Sequence, residues 1–225
     1  EFLKLPLVIE GESKEVRYAG GGLVLIRFKP TVYSFTHNRC DTVQGSDLIR
    51  LRAMRTFLEV LRAAGLRHAY REVGEELVLA DLVMPHAVEF AKYGLPVFVP
   101  PDLSEESVRE LPQAPPIEII VKCHHTGTSK HRYKGMTGAR VRASHPLLAG
   151  MRFEVDDAYP QTLVRFDWRN PLLSADGTRV ADEVLPEPLA NYFIDTERAR
   201  RTALRAHAAL QDFLSPRDIV ICDLC

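Results

Sequence analysis

PPIEIIVKCHHTGTSKHRY, residues 115–133, is the stretch on which the fold of this 225-residue chain turns. Ile117 to Val121 is a β-branched run. A period of two sets Glu118, Ile120 and Lys122 on one face of the strand and Ile117, Ile119 and Val121 on the other. This predicts a strand that buries its apolar face and leaves its polar face free to work. Thr126-Gly127-Thr128-Ser129 follows at once, offering hydroxyls and free backbone amides that suit an anion nest. Lys122, Arg132 and that nest would converge on one anion. Taken by themselves, the same residues also fit an edge strand that runs into a solvated basic loop.

Upstream, Glu15 to Tyr18 and Leu23 to Phe28 flank Ala19-Gly20-Gly21-Gly22 and predict an antiparallel hairpin. Ahead of it, GESKEVRY (Gly11 to Tyr18) sets a glycine and Lys14 near a turn. There, backbone amides approach a phosphate and the ammonium neutralises it as a point charge. A plain exposed hairpin is the alternative reading. Ser46 or Asp47 is expected to cap a helix with Leu48, Leu51, Met54, Phe57, Leu58 and Leu61 on its apolar face, ending at Gly65. Strands are expected at Leu77 to Leu82 and Val97 to Val99. Pro85, Pro96, Pro100, Pro101, Pro112, Pro115 and Pro116 make residues 84–116 a connector rather than continuous regular structure.

Downstream, Thr137 to Leu185 alternates short strand candidates with loops. Asp195 or Thr196 then caps a second helix that stops before Pro216 and buries Ala199, Ala203, Leu204, His207, Leu210, Phe213 and Leu214. Asp218 to Cys225 reads as a closing strand. The order predicts an α+β protein with antiparallel sheets and flanking helices. Its two lobes would be 1–113, which includes most of the 84–116 connector, and 114–225.

With 46% hydrophobic residues the chain can bury a full core. Its 29 Lys plus Arg and 30 Asp plus Glu leave a net charge of -1, so no overall field draws it to nucleic acid or to an anionic membrane. The most apolar stretch, Leu77 to Met84, is broken by Asp81 and is far shorter than the roughly 20 residues of a membrane span. Glu1-Phe2-Leu3-Lys4 carries no secretory pattern, so a cytoplasmic location is expected. Cys40, Cys123, Cys222 and Cys225 are spaced irregularly, as reduced thiols are. In a strand Cys222 and Cys225 diverge, which argues against a metal, and no metal ligands are identified. His124, His125 and His131 read as loop lining within reach of a substrate.

Pro116, Glu118, Val121, Lys122, Gly127, Thr128, His131 and Arg132 follow, in order, a P-x-E-x-x-V-R strand and a T/A-G-S-x-x-K/R loop. Gly11 to Tyr18 is similar to G-K-x-K/R-x-V-Y, and Trp168-Arg169-Asn170 to a K-N-D loop. Asp182 to Glu187 is similar to D-P-x-V-N-E, and Ile219 to Asp223 to V-D-x-K-x-E. Through these motifs the chain resembles the SAICAR synthetase family. The resemblance implies a two-lobed fold related to ATP-grasp and kinase-like nucleotide binders. It also implies ATP and Mg²⁺ as cofactors and a place in purine biosynthesis, where carboxyaminoimidazole ribotide and aspartate give the succinocarboxamide, ADP and phosphate.

Carried over by position, Gly11, Ser13, Lys14, Val16, Leu25 and the backbone at Gln113 and Ala114 would hold ATP. Glu118, Lys122, Gly127, Thr128, Ser129, Arg132 and Arg169 would hold the ribotide, with Asp182 at its amino-acid or imidazole end. Lys14, Asp182 and Asp223 would be catalytic. The implied partners are a small-molecule nucleotide carboxylate and an amino acid, with room for a homo-oligomer. A carboxylate is a poor electrophile, so such an enzyme converts it to an acyl phosphate with ATP and then holds an amine for attack.

Four features depart from the family pattern. Lys122 replaces an arginine and loses its two-pronged grip on phosphate or carboxylate. Glu12 replaces a lysine beside the expected phosphate site, and the proline-rich connector is longer. Asp223 and Cys225 stand where the family carries Asp and Lys, and the remaining acids of the family pattern fall beyond Cys225. These changes fit a paralogue that joins a different acid and amine, as in an antibiotic-nucleoside pathway or on a C-nucleoside-type substrate. Two further readings are a silent ATP-binding regulator and a kinase that passes phosphate to a hydroxyl.

Overall fold

The computed structural model describes residues 1–34, 39–85, 98–126, 133–170, 175 and 180–225. Its first half carries β1 (Leu7–Glu10), β2 (Lys14–Gly20), β3 (Leu23–Phe28), a small hairpin of β4 (Thr31–Ser34) and β5 (Arg39–Thr42), helix α1 (Ser46–Ala63), β6 (Tyr70–Val73) and β7 (Leu77–Asp81). β1, β2, β3, β7 and β6 pair in that order into one antiparallel sheet. The expected β2–β3 hairpin forms, with Lys14 opposite Phe28 and Tyr18 opposite Val24.

Alternation along these strands turns Val16, Tyr18, Val24, Ile26, Val78 and Ala80 into one core, which Leu51 of α1 seals. Burying each of the valine, isoleucine and leucine side chains contributes about 1.5–3 kcal/mol. The cap of α1 is Gly45 at φ 80° rather than Ser46 or Asp47, because only glycine enters that left-handed bend without strain. Leu48 falls on the exposed side, off the face expected for it.

At the far end of β2 the triple glycine is pinned by Asp102, which accepts a hydrogen bond from the Gly21 amide at 2.9 Å. The Tyr18 hydroxyl accepts from the Gly22 amide at 3.0 Å. The Gly21 amide and the Tyr18 hydroxyl together hold the Asp102 carboxyl below its ordinary pKa.

Within the proline-rich connector, β8 (Met84–Pro85) and β9 (Gln113–Ala114) bracket α2 (Glu105–Glu110). β8 and β9 pair in parallel, the one exception among the described residues to the antiparallel expectation. The strand expected at Val97 to Val99 does not form at Phe98 and Val99, where Pro100 and Pro101 remove the donors a ladder needs; Val97 lies outside the described residues.

The second half carries β10 (Ile117–His124), β11 (Ala158–Trp168), β12 (Glu183–Leu185), α3 (Glu187–Ala190), α4 (Thr196–Leu214) and β13 (Asp223–Leu224). The strands form a sheet in the order β12-β11-β10-β13. Asp195 caps α4 by accepting from the Arg198 amide at 2.9 Å, as expected. α4 lies on the sheet, where His207 Nε2 reaches Cys123 Sγ at 3.0 Å. It also meets α1: Phe57 and Phe213 pack edge to face at 6.4 Å, and Arg205 donates to the Ala64 carbonyl at 2.9 Å.

The expected closing strand from Asp218 shrinks to Asp223–Leu224. Asp218 sits in the left-handed region at φ 56°, and the Gln211 side chain takes the place of a neighbouring strand. Its amide donates to the Ile219 carbonyl at 3.0 Å and its carbonyl accepts from the Ile221 amide at 2.8 Å.

Candidate functional site

Register decides which side chains of the second sheet share a face. Glu118 is opposite Asp167, Ile120 opposite Arg165 and Lys122 opposite Leu163 on β11, while Asp223 of β13 is opposite Lys122. Directly opposed residues point to the same side of a sheet. Glu118, Lys122, Arg165, Asp167 and Asp223 therefore lie on one face, and Cys123 points the other way, toward α4.

The expectation of an open polar face over a buried apolar one needs correction. Ile120 is 3% exposed and Lys122 only 2% on one face, and Val121 on the other is 1% exposed, so both faces of β10 are covered at its centre. α4 covers one side. On the other, the Thr126 carbonyl accepts from Lys122 Nζ at 2.7 Å, and the Tyr133 ring lies 5.7 Å from the Arg165 guanidinium. A buried ammonium costs several kcal/mol unless partners replace its water, so Lys122 is held by the surrounding polar groups. Gly127, Thr128, Ser129 and Arg132, the expected nest, lie outside the described residues.

Arg165 and Asp167 form a buried ion pair at 2.6 Å. Burial alone would lower the arginine's pKa, but its bonds to Tyr133 and Asp167 prevail and raise it. Asp167 uses Oδ2 for this pair, while its Oδ1 is buried without a hydrogen-bond partner. Neither residue was foreseen. The signal was the R-x-D spacing in TLVRFDW, which puts both on one face once that stretch is recognised as a strand.

The histidines divide. His125 is 3% exposed and has both ring nitrogens occupied, Nδ1 with the Tyr159 hydroxyl at 2.9 Å and Nε2 with Thr137 Oγ1 at 3.0 Å. It anchors the end of β10 instead of meeting a substrate. His124 is half-buried and His131 lies outside the described residues. Burial pushes the Cys123 thiol up, which leaves it a poor nucleophile.

Asp182 is half-buried and its Oδ1 accepts from the Asn170 amide at 3.1 Å, tying the Trp168-Arg169-Asn170 stretch to β12. The exposed Arg169 donates its amide to the Pro116 carbonyl at 2.7 Å. Asp182 and Arg169 thus stand at the start of β10, whereas Asp223 stands beside Lys122, roughly 20 Å along the strand.

On the first sheet, Lys14 opens β2 and is exposed after the turn formed by Gly11, Glu12 and Ser13. The Gly11 amide closes that turn onto the Lys14 carbonyl at 2.9 Å. Among the described residues no partner is found for the Glu12 and Ser13 amides. The Glu12 carboxylate is engaged by the Cys40 thiol across the β4–β5 hairpin. The triple glycine lies at the other end of β2, about 20 Å away, and is no part of this turn. Val16 faces the core opposite Ile26, but Leu25 is opposite Arg17 on the reverse face, so these two do not line one surface. That reverse face carries buried Glu15, paired with Arg17 at 2.5 Å and Arg27 at 2.7 Å. Gln113 and Ala114 are exposed in β9, between the two sheets in sequence.

Among the described residues no cluster of three His, Cys, Asp or Glu could by itself hold a metal, and no helix is long and apolar enough to cross a membrane.

No protein-family model matches the chain. Solved structures do. A type-2 SAICAR synthetase in complex with ADP superposes with a TM-score of 0.62 at 16% identity, over 97% of this chain and 72% of that one. The phosphoribosylaminoimidazole-succinocarboxamide synthase of Ehrlichia chaffeensis gives 0.64 at 11% identity over the same shares. The Saccharomyces cerevisiae SAICAR synthase complexed with SAICAR gives 0.63 at 12% identity, over 97% of this chain and 66% of that one. Among curated proteins, the bifunctional cordycepin biosynthesis cluster protein 3 of Cordyceps militaris is 27% identical over 176 residues. That match covers 75% of this chain and only 16% of the relative's length. The α+β fold with antiparallel sheets and flanking helices is that of the SAICAR synthetases.

Proposed function

We propose that this chain, built on the SAICAR synthetase fold, is an ATP-dependent carbon–nitrogen ligase. It activates the carboxylate of an imidazole-type or related heterocyclic nucleotide as an acyl phosphate and couples it to an amino acid such as aspartate. The observation that carries this reading is the buried Lys122 directly opposite Asp223, on a face that also bears Glu118.

The chain's residues fit the cofactors. The Glu12 and Ser13 amides beside exposed Lys14 suit the phosphates of ATP, with Gly11 giving the backbone room to approach. Leu25 and the backbone at Gln113 and Ala114 are the candidates for its base. Magnesium needs one or two carboxylates and takes its other ligands from phosphates and water, so Asp223 alone is an adequate protein donor. When bound, the ion spreads negative charge during phosphoryl transfer.

The chemistry then divides among the side chains. Lys122, stripped of most of its water, offsets charge on the acid or on the phosphoryl group moving to it. Carboxylate attack on the terminal phosphorus releases ADP. The amine next attacks the acyl carbon, phosphate leaves with the carbon–oxygen bond electrons, and a nearby carboxylate takes the amine's proton. Asp223 is the candidate for that last task, while Asp182, roughly 20 Å along the strand, would act at another part of the substrates. Glu118 and Arg169 position the nucleotide, together with Gly127, Thr128, Ser129 and Arg132.

Two observations favour specialised nucleoside metabolism over purine synthesis. Lys122 cannot make an arginine's two-pronged contact, and the curated relative is a cordycepin biosynthesis cluster protein. An acid of the C-nucleoside type is the finer form of this reading. The test is ADP release from ATP and Mg²⁺ across a panel of heterocyclic nucleotide acids and amino acids. A ligase releases ADP only with both partners present. Release with a hydroxyl compound alone would mark a kinase, and ATP binding without any release would mark a silent regulator.

A further inference from the structure

Register also brings two cysteines opposite each other. Val121 is opposite Leu224 and Lys122 opposite Asp223, so the next pair along is Cys123 and Cys222, and the Cys123 amide donates to the Cys222 carbonyl at 3.0 Å. Opposed residues of this hydrogen-bonded kind hold their Cα atoms about 5.5 Å apart, inside the range that a disulfide spans. Their Cβ atoms stand about 4.5–5.5 Å apart, against about 3.5–4.5 Å in a disulfide, so the two strands must close by roughly 1 Å. A two-residue strand at the edge of its sheet, as β13 is, gives way by that much more readily than a central strand.

Both thiols lie on the α4 side of the sheet, away from Lys122 and Asp223. There α4 presents His207 and, one turn on, Gln211. His207 Nε2 is 3.0 Å from Cys123 Sγ, and Gln211 bonds the backbone at Ile219 and Ile221. The surroundings give the two thiols unequal roles. Cys123 is 9% exposed, and burial pushes its pKa up, with Cys222 close enough to push the same way. Cys222 is half-buried and so within reach of a small reagent.

We infer that Cys123 and Cys222 are a reversible redox pair, which a low-molecular-weight disulfide such as oxidised glutathione converts into a cross-strand disulfide that clasps β13 to β10. The Cys222 thiolate attacks one sulfur of the small disulfide, whose S–S bond breaks, giving a mixed disulfide and one small thiolate. His207 Nε2 then takes the Cys123 proton as Cys123 Sγ attacks Cys222 Sγ, and the second small thiolate leaves and is protonated. The protein gives up two electrons and two protons, and the small disulfide becomes two thiols. A bond drawn from a spacing wider than ideal is readily reduced again, as a switch requires. The clasp fixes the register that sets Asp223 opposite Lys122, and the inference does not depend on the ligase reading.

The test treats the whole chain with oxidised glutathione, blocks the remaining thiols with an alkylating reagent and digests with trypsin and endoproteinase Asp-N. Cleavage ahead of Asp223 separates Cys222 from Cys225, and cleavage after Lys122 separates Cys123 from Cys40. Mass spectrometry should find residues 123–130 joined to residues 218–222, and dithiothreitol should abolish the link. The thermal midpoint should rise by about 5 °C or more on oxidation and return on reduction. His207→Gln should slow closure of the Cys222 mixed disulfide roughly 100-fold while leaving its formation unchanged. A glutathione adduct that persists on Cys222 of the unmodified chain, with Cys123 still reduced, overturns the inference whatever the variant does. So does a chain in which neither thiol reacts, or one in which Cys123 is linked to Cys40 or Cys225 in place of Cys222.

Discussion

Lys122 and Asp223 are directly opposite each other on an antiparallel pair whose second strand, Asp223–Leu224, is only two residues long. The lysine is 2% exposed, while the aspartate is half-buried at the margin of the sheet. A buried cation is thus placed next to a carboxylate that stays partly exposed.

Lys122→Met tests the cation. It should reduce ADP release by about 100-fold or more. It should also lower stability, because removing one partner of a buried charged contact leaves the Thr126 carbonyl without its donor. Turnover is therefore measured by coupled assay well below the variant's thermal midpoint, and release at the unmodified rate by the folded variant would remove Lys122 from the chemistry.

Gln211 controls Asp223 from a distance. Its side chain bonds the backbone at Ile219 and Ile221, immediately ahead of β13. Gln211→Ala should cost about 1–3 kcal/mol in chemical denaturation. Turnover should also fall while ADP affinity holds, because the altered segment leads to Asp223 and not to the Gly11–Lys14 turn.

Among the glycines of the β2–β3 turn, Gly22 is the most sensitive to a side chain. It has φ 75°, and an added Cβ would meet Leu111 Cδ2 at 3.0 Å. Gly21 has φ 58° but open space around it. Gly22→Ala should lower stability by roughly 1–2 kcal/mol from backbone strain plus whatever Leu111 must give, and Gly21→Ala should cost less. Urea denaturation of the two variants orders them.

Acid should loosen this turn through Asp102. Its pKa is depressed in the folded chain by the Gly21 amide and the Tyr18 hydroxyl, so the unfolded chain binds its proton more readily. The stabilisation is fully present above the ordinary aspartate value of about 3.9 and is lost as pH falls from there through the folded value. Glu15 acts with the same sign: burial opposes its ionisation, but Arg17 and Arg27 prevail and hold its pKa down. Asp102→Asn should flatten the acid limb of a stability–pH curve, and an unchanged limb would exclude Asp102 as a contributor.

Local signals located most elements. The glycines at 20–22 and the flanking β-branched runs specify the β2–β3 hairpin, and the 3.6-residue periods with Asp195 and Gly65 at their ends mark the two long helices. Where expectation failed, a long-range partner had intervened. The last strand shortened because the Gln211 side chain satisfied its backbone, and Val16 and Leu25 separated because neighbouring residues of a sheet alternate faces.

By itself the sequence determined the α+β class, the order of sheet and helix and the polar–apolar alternation of the Glu118 strand, because each depends on contacts within a few residues. Only the tertiary structure decided that Lys122 is buried, that Asp223 lies opposite it and that Arg165 and Asp167 join them. Those facts depend on strand register between segments 40 to 100 residues apart, and register is set by the packing of whole faces, which no short stretch of residues encodes.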